Sequence, residues 1–578
     1  MDNKKDAVYI PPSLTYTPKE YKPLDKKDII FVLLYLLSSF LIVDFALFHG
    51  FHAGVFIAYL IFFVLTTVYI SRKSDKLPFF SWACGALSVI GAFTFVLYDN
   101  QLIMLFMLVL VGALFGIYCM GISGGFGKNG GSYKMLIDVI ISVFIKPFAN
   151  IAEVFGSAKA SARQRRKSFG TVIGFVAALP VLCIIIPLLV KSDAAFEGLV
   201  LGIIKNVGIY LAEVAIAVVL LVYLYPFAFG HRHDTNNSKG ARKIKKCFPL
   251  SGCISFLGAI SIVYAVYLFS QLAYFFSAFK GILPEDYSHS ASSFARRGFY
   301  EMFAVCVINI IIVSVVSMFS KKKNLPVKLI STFISLFSVL LIVVAMEKMK
   351  LNISIFGLTM NRVLVSVFML MVLFATLFFI IHIFVPKLSY IKPIILFCSI
   401  LFIAMTYADM DMQIAKYNIN AYDTKAVQSL DIENISDLSD SAVPYLVRLC
   451  SYEDDGISSS AKRSLTRKII YDYNENLEVS DDYKTMTYQK NYDFRSFNYA
   501  EHKAHKTVMD YYNSLNEKEK EYFLTYYKYY NYGDYDEETD TFYYYGSGDD
   551  EYSVYCYDVK TGAYTIKSTD ESFGKEEV

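Results

Sequence analysis

The chain has 578 residues, of which 55% are hydrophobic and only 19% charged, with a formal net charge of +3. Soluble proteins are nearer 45–50% apolar and about 25% charged, so a single soluble core is excluded, and so is a disordered chain. The charge is also split: residues 1–408 carry 37 basic and 18 acidic side chains, while residues 409–578 carry 18 and 34 together with 26 of the 45 tyrosines.

Residues 1–28 form a polar lead with Pro11, Pro12, Pro18 and Pro23, expected to be extended. It is too long for the n-region of a cleavable signal. Apolar runs of about 20 residues, each long enough to cross a bilayer, then recur. The expected spans are 29–48, 53–70, 79–97, 102–122, 168–190, 207–229, 249–276, 298–319, 327–346, 363–385 and 392–408. They must be helices, since a lone segment in lipid has to satisfy its own backbone groups. The fold class expected is therefore an all-α polytopic membrane protein of about 11 transmembrane helices. A small α+β extracytoplasmic C-terminal domain is expected at its end.

Lys and Arg in short loops set orientation. They cluster at Lys26/Lys27, Arg72/Lys73, Arg163–Lys167, Arg242–Lys246, Lys321–Lys323 and Lys387/Lys392. This pattern puts the N-terminus in the cytoplasm and residues 409–578 outside, in the cell membrane of a cell envelope. Arg296/Arg297 and Lys348/Lys350 go against it. The segment 135–158 is apolar but holds Asp138, Lys146, Pro147 and Glu153. It is expected to lie in the cytoplasmic interface; a crossing there would invert everything after it. The chain thus divides into the lead 1–28, four spans in 29–122, an interfacial amphipathic segment in 123–167, seven spans in 168–408 and an acidic, Tyr-rich domain in 409–578.

Ionisable groups inside spans are costly and usually face protein or a water-filled cavity. On this topology Asp44, Glu213, Arg297, Glu301 and Arg362 all fall in the outer leaflet. Arg297 and Glu301 are four apart and able to pair on one helix face. These five residues are the expected outer-face binding pocket; a structural ion-pair network is the competing explanation. No catalytic residue and no cofactor is indicated. His49 and His52 lack a third ligand, so no metal site is expected.

In the outer part, helices are expected over Asp409–Asn420, Val427–Leu449 interrupted by Pro444, Ser458–Tyr473 and Glu501–Tyr530. Strands are expected over Thr541–Tyr545, Tyr552–Val559 and Ala563–Lys567, with Lys560-Thr561-Gly562 as a bulged hairpin turn. Cys450 and Cys556 are both outside, so a disulfide is possible there. Gly121–Gly131 does not fit a phosphate loop.

Several pieces of sequence resemble a bacterial integral-membrane family carrying domain of unknown function 4173. They are Ser192–Phe196, Phe294-Ala295-Arg296-Arg297-Gly298-Phe299-Tyr300-Glu301, Phe356-Gly357-Leu358-Thr359 with Arg362, Ile414–Ile419 and Leu438–Pro444. The resemblance covers roughly 165–450 and implies a membrane protein without specifying an activity. Lys416 stands where relatives would carry arginine.

Three functions remain open. The first is a non-enzymatic envelope sensor, scaffold or binding protein, with membrane lipids as partners and envelope proteins or glycans met through residues 409–578. The second is an outer-face transferase acting on lipid-linked substrates. The third is a transporter, disfavoured because the charges gather at one side. Nucleic acid is not an expected partner, since basic charge follows the membrane face.

Overall fold

Backbone groups in lipid find partners only within their own segment or a closed barrel, and the apolar runs among the described residues are helices. The structure, a computed structural model, describes residues 21–48, 50–71, 78–124, 134–164, 194–233, 248–280, 299–319, 325–385, 388–472, 477–479, 486–488, 493–520, 533–536, 541–548, 551–558 and 563–568. The helices are α1 (Lys26–Val43), α2 (Ala53–Ile70), α3 (Phe79–Leu97), α4 (Gln101–Ile122), α5 (Lys134–Ile140), α6 (Lys146–Gln164), α7 (Ala194–Arg232), α8 (Leu250–Lys280), α9 (Phe299–Phe319), α10 (Leu325–Phe356), α11 (Met360–Phe384) and α12 (Ile391–Tyr407). After them come α13 (Met410–Asp423), α14 (Ile432–Ser436), α15 (Val443–Leu449), α16 (Asp455–Asp472) and α17 (Tyr499–Ser514).

Among the described residues nine helices are long and apolar enough to cross a membrane, or ten if the bent pair α12–α13 is one span. Eleven were expected. The span 168–190 lies outside the described residues, and α9 offers only a shorter apolar stretch, Glu301–Ser317. The segment Ile137–Ser161, expected in the interface, is itself apolar enough to cross.

The interior is apolar, but large apolar side chains also cover the outside and small polar ones are buried between helices. Leu33, Leu37, Val64, Val68 and Val109 face outward, while Ser38, Ser39, Thr66, Ser88 and Thr94 are buried. Lipid is as apolar as leucine, so helices associate through small residues and hydrogen bonds rather than hydrophobicity. Accordingly Tyr35 donates to Thr66 Oγ1 at 2.8 Å, joining α1 to α2, and Tyr59 donates to Ser88 Oγ at 2.8 Å, joining α2 to α3. At Gly85 a Cβ would come within 2.7 Å of the Tyr118 ring, so α3 and α4 approach closely there.

Contacts define two ends of the bundle. At one end, Asp25 and Asp28 form a reciprocal capping box that starts α1. The fully buried Asp28 carboxylate also accepts the Tyr69 hydroxyl at 2.9 Å and pairs with Arg232 Nε at 3.2 Å and His233 Nε2 at 3.1 Å. Arg232 donates to Tyr69 O as well, at 3.0 Å. The start of α1, the end of α2 and the end of α7 are thereby tied together. His231 lies 3.1 Å from Ser123 Oγ and 3.0 Å from Ser142 Oγ, adding the end of α4. The segment 137–161 meets this same end twice, at Ser142 and again at Ser161, whose Oγ accepts the Leu24 N–H at 2.6 Å. Its buried face carries Ser142, Asn150, Ser157 and Ser161, and its exposed face Ile137, Ile140, Phe144, Phe148 and Phe155.

At the opposite end α12 stops at Ala408. Asp409 adopts a left-handed conformation (φ 52°), caps α13 by accepting the Met412 N–H, and the chain turns by 61°. Asp is among the few residues that tolerate this region. Since α13 carries Asp411, Lys416 and Asp423, only α12 reads as the crossing arm. One apolar cluster then runs without a break from the bundle (Phe95, Met104, Met107, Phe402, Ile403) into the following region (Ile414, Ile435, Leu446, Leu465, Val508). The expected 427–449 helix is three shorter pieces, the last beginning with Pro444 in its first turn. The expected 501–530 helix starts at Tyr499 and breaks at Leu515–Asn516, where Asn516 and Glu519 cap each other reciprocally. Strands β1 (Leu477–Val479) and β2 (Met486–Tyr488) pair antiparallel, and β3 (Gly533–Asp536), β4 (Thr541–Gly548), β5 (Glu551–Asp558) and β6 (Ala563–Ser568) form a meander in that order. Cys450 is a buried free thiol donating to Leu446 O, so it enters no disulfide.

Candidate functional site

The candidate site is the end of the bundle where the chain after residue 409 is seated, and each part of it starts from a helix terminus with unsatisfied backbone groups. The last turn of α10 closes on Gly357, whose φ of +75° only glycine adopts freely. A Cβ there would fall 2.6 Å from Asn418 Oδ1. The close approach lets Asn418, on α13, accept the Leu358 N–H at 2.7 Å and donate to Leu358 O at 2.8 Å. Arg362 completes the turn by donating to Phe356 O at 3.1 Å and Gly357 O at 2.5 Å. An always-charged donor on the carbonyl end of a helix is favoured by the helix dipole.

A second clamp comes from the segment before α17. Asn498, fully buried, donates to Phe95 O at 3.2 Å and Tyr98 O at 2.8 Å at the end of α3, while its own Oδ1 caps α17 through Ala500 N–H and Glu501 N–H. Three residues earlier, Arg495 pairs with Asp44 at 3.1 Å and with Asp493 at 2.6 Å. Asp44 lies in a π-helical turn, Asp44–Phe48, that ends the first span. Ala53 N–H donates to Phe497 O at 2.9 Å, and a Cβ on Gly54 would come 2.9 Å from Arg495 O. His52 lies 3.6 Å from Glu501, whose carboxylate also lies within hydrogen-bond distance, 3.3 Å, of Nε2 of the buried His505. Burial pushes the His505 imidazole down to about 4.

The third contact is acidic. Asp99 and Asn100, in the turn between α3 and α4, meet Asp411 of α13 and the Ser439–Asp440 turn. Burial, with Asp440 and Asp411 nearby, pushes the Asp99 carboxyl up to about 7, and burial likewise raises Asp411 and Asp409.

Of the expected pocket residues, Asp44 is buried against Arg495 and Arg362 is bound to the α10 carbonyls. Glu213 is buried on α7, and Glu301 is exposed in the first turn of α9. Arg297 and His49 lie outside the described residues. Lys416 is exposed. Among the described residues no group of three His, Cys, Asp or Glu is arranged to hold a metal ion. Arg495, Asn498, Asn418, Asp99 and Asp440 were not foreseen as parts of this end. A partial signal existed for Asn498, followed three residues on by Glu501 in the pattern of a helix start. Asn418 and Asp440 lay inside motif pieces already singled out.

These features define a multi-pass, mainly helical membrane protein whose polar helix ends hold the chain after residue 409 onto the bundle. The chain belongs to the family described as Domain of unknown function (DUF4153), whose model matches residues 83–449. The differently numbered family suggested by the sequence motifs is not the one matched, and the match reaches back to residue 83, into α3, well before the stretch that carried the resemblance. No curated protein and no solved structure matches the chain.

Proposed function

We propose that this is a non-enzymatic cell-envelope sensor, scaffold or binding protein. In this reading residues 409–578 form an acidic extracytoplasmic α+β domain and the Asp28 end faces the cytoplasm. Lys26 and Lys27 open α1, Arg232 pairs with Asp25 and Asp28, and Lys328 and Lys392 stand in the first turns of α10 and α12, whose last turns lie at the opposite, seated end; the positive-inside tendency supports this orientation. The segment 137–161 then lies in the cytoplasmic interface, because both Ser142 and Ser161 touch that one end and its exposed face is apolar. Membrane lipids are its partners there, and envelope proteins or glycans are partners of the outer region.

The observation that carries the reading is the use made of polar side chains at the seated end. Asp44 holds Arg495, Arg362 holds the α10 carbonyls, and Asn418 and Asn498 satisfy backbone groups on other elements. Groups spent on fixing one segment against another serve positioning rather than acid–base chemistry.

The test is a charge exchange. Asp44→Arg and Arg495→Asp are made singly and together in the full chain, and scored for membrane abundance, protease resistance of the region after 409, and envelope-stress sensitivity. Each single exchange is expected to expose the region to protease and produce the phenotype, and the double exchange to restore both. An Asp44→Asn protein that stays abundant and protease-resistant yet loses function would show that the carboxylate has a chemical task and would overturn the proposal.

A further inference from the structure

Three carboxylates from three separate elements meet where the α3–α4 turn, α13 and the Asp440–Ala442 turn pack together. Asp99 Oδ2 accepts the Asp440 N–H at 3.0 Å. Asp411 Oδ2 accepts from Asn100 Nδ2 at 2.7 Å and from the Ser439 hydroxyl at 2.5 Å. The other oxygen of each, Asp99 Oδ1 and Asp411 Oδ1, is sealed from solvent and has no hydrogen-bond partner among the described residues. Asp411 and Asp440 are only 3% and 7% exposed, and Asp99 is half-buried with its Oδ1 turned inward. A buried carboxylate oxygen without a donor is costly, and a neighbouring carboxylate adds repulsion; one proton placed on that oxygen relieves both.

We infer that Asp99, Asp411 and Asp440 form a proton-operated latch that seats the region after residue 409 on the bundle when the cluster holds a proton and loosens it when the proton is released to solvent. The inference deepens the sensor reading, on which it rests for its biological meaning, by naming the signal to which docking responds.

The surrounding charges are mixed. Asp409, which caps α13, adds to the negative side beside Asp411. Lys468 on α16 favours the ionised form of Asp411 while donating to Leu438 O at 3.0 Å, and Lys503 on α17 acts the same way on Asp409. The net direction at Asp99 is nevertheless upward, from 3.8 to about 7. A carboxyl whose value is higher when docked binds its proton more tightly in that state. Docking is therefore favoured below the lower value and weakens as pH rises through the window between the two, by up to about tenfold per pH unit. His505 on α17 has the opposite sign: its imidazole must stay neutral to remain buried, so it favours the folded form as pH rises from about 4 to 6.5. The two slopes partly cancel, so the informative quantity is the difference made by removing Asp99's charge.

The experiment is hydrogen exchange of the full chain in lipid nanodiscs, reading the peptide that holds the Asp440 amide, at about pH 5 and about pH 8, corrected for intrinsic exchange. Protection in the parent is expected to fall at the higher pH. Asp99→Asn keeps an acceptor for the Asp440 N–H but cannot ionise, and is expected to hold its protection at both. Equal pH dependence in parent and variant overturns the latch. Should Asp99→Asn fail to fold, infrared titration of the parent decides: a protonated carboxyl band persisting well above pH 5 is required, and its absence overturns the proposal. Envelope function that ignores pH while protection still responds to it would count against the sensor reading and leave the latch standing.

Discussion

Asn418→Ala isolates one joint of the assembly. In the parent the Asn418 amide satisfies both backbone groups of Leu358, at 2.7 and 2.8 Å, from a side chain that is 6% exposed. Its loss leaves the half-buried Leu358 N–H without this partner, at about 1–2 kcal/mol, and removes a second bond of about 1 kcal/mol. That second loss is softened because Asn434 Nδ2 also lies 3.4 Å from Leu358 O. A local destabilisation of about 2–3 kcal/mol corresponds to roughly 30- to 150-fold faster exchange at the Leu358 amide, at about 1.4 kcal/mol per factor of ten. Gly357→Ala should reach a similar loss by a different route. It incurs about 1–2 kcal/mol for a Cβ in the left-handed region, and the added atom lands 2.6 Å from Asn418 Oδ1, pushing the same side chain away. With Asn418 already truncated the clash vanishes, so the double variant should fall short of the sum of the singles, as neighbours sharing one interaction do. The assay is hydrogen exchange of the peptide spanning 357–359 in a folded, detergent-solubilised chain. Exchange in Asn418→Ala within twofold of the parent, or strict additivity in the double variant, would refute the assigned role.

Other perturbations read other joints. Asp28→Ala should cost about 2–3 kcal/mol, read as a lower Tm in detergent, because Arg232 and His233 lose a fully buried partner; the figure sits below the usual 3–5 kcal/mol because Arg232 keeps Asp25 at 2.8 Å. At Asp409, glycine should be milder than valine by about 1–2 kcal/mol in thermal melts, since both lose the cap but only valine is strained at a φ of 52°; equal melts would refute the backbone argument. Gly54→Val should raise protease cleavage around 493–498 and leave the bundle folded, because the new side chain pushes on Arg495 O; unchanged cleavage would show that this contact does not hold the segment.

Some of the candidate site was legible before the structure. The pieces 356–359, 414–419 and 438–444 stood out in the sequence, and all three prove to be parts of one seated end, joined by Leu358–Asn418 and by Asp411–Ser439. Their task was not legible, since Asn418 and Leu358 are 60 residues apart, and Asp44 and Arg495 are 451 apart. Asp44 was recognised from the cost of a carboxylate near lipid, but its partner sits in a polar region where one arginine among many charges carries no such signal.

The division follows from the range of the forces involved. Hydropathy acts over the length of one segment, so most spans and the abrupt charge change at residue 409 could be read from local composition. Strand positions 541–545 and 563–567 followed in the same way from alternation and turn residues, close to the observed Thr541–Gly548 and Ala563–Ser568. Which helix end meets which loop depends on hydrogen bonds and ion pairs a few ångströms long between residues 28 to 451 positions apart. Only the packed chain, with Gly54 letting the Arg495 backbone approach and Gly357 letting the Asn418 side chain approach, decided those pairings.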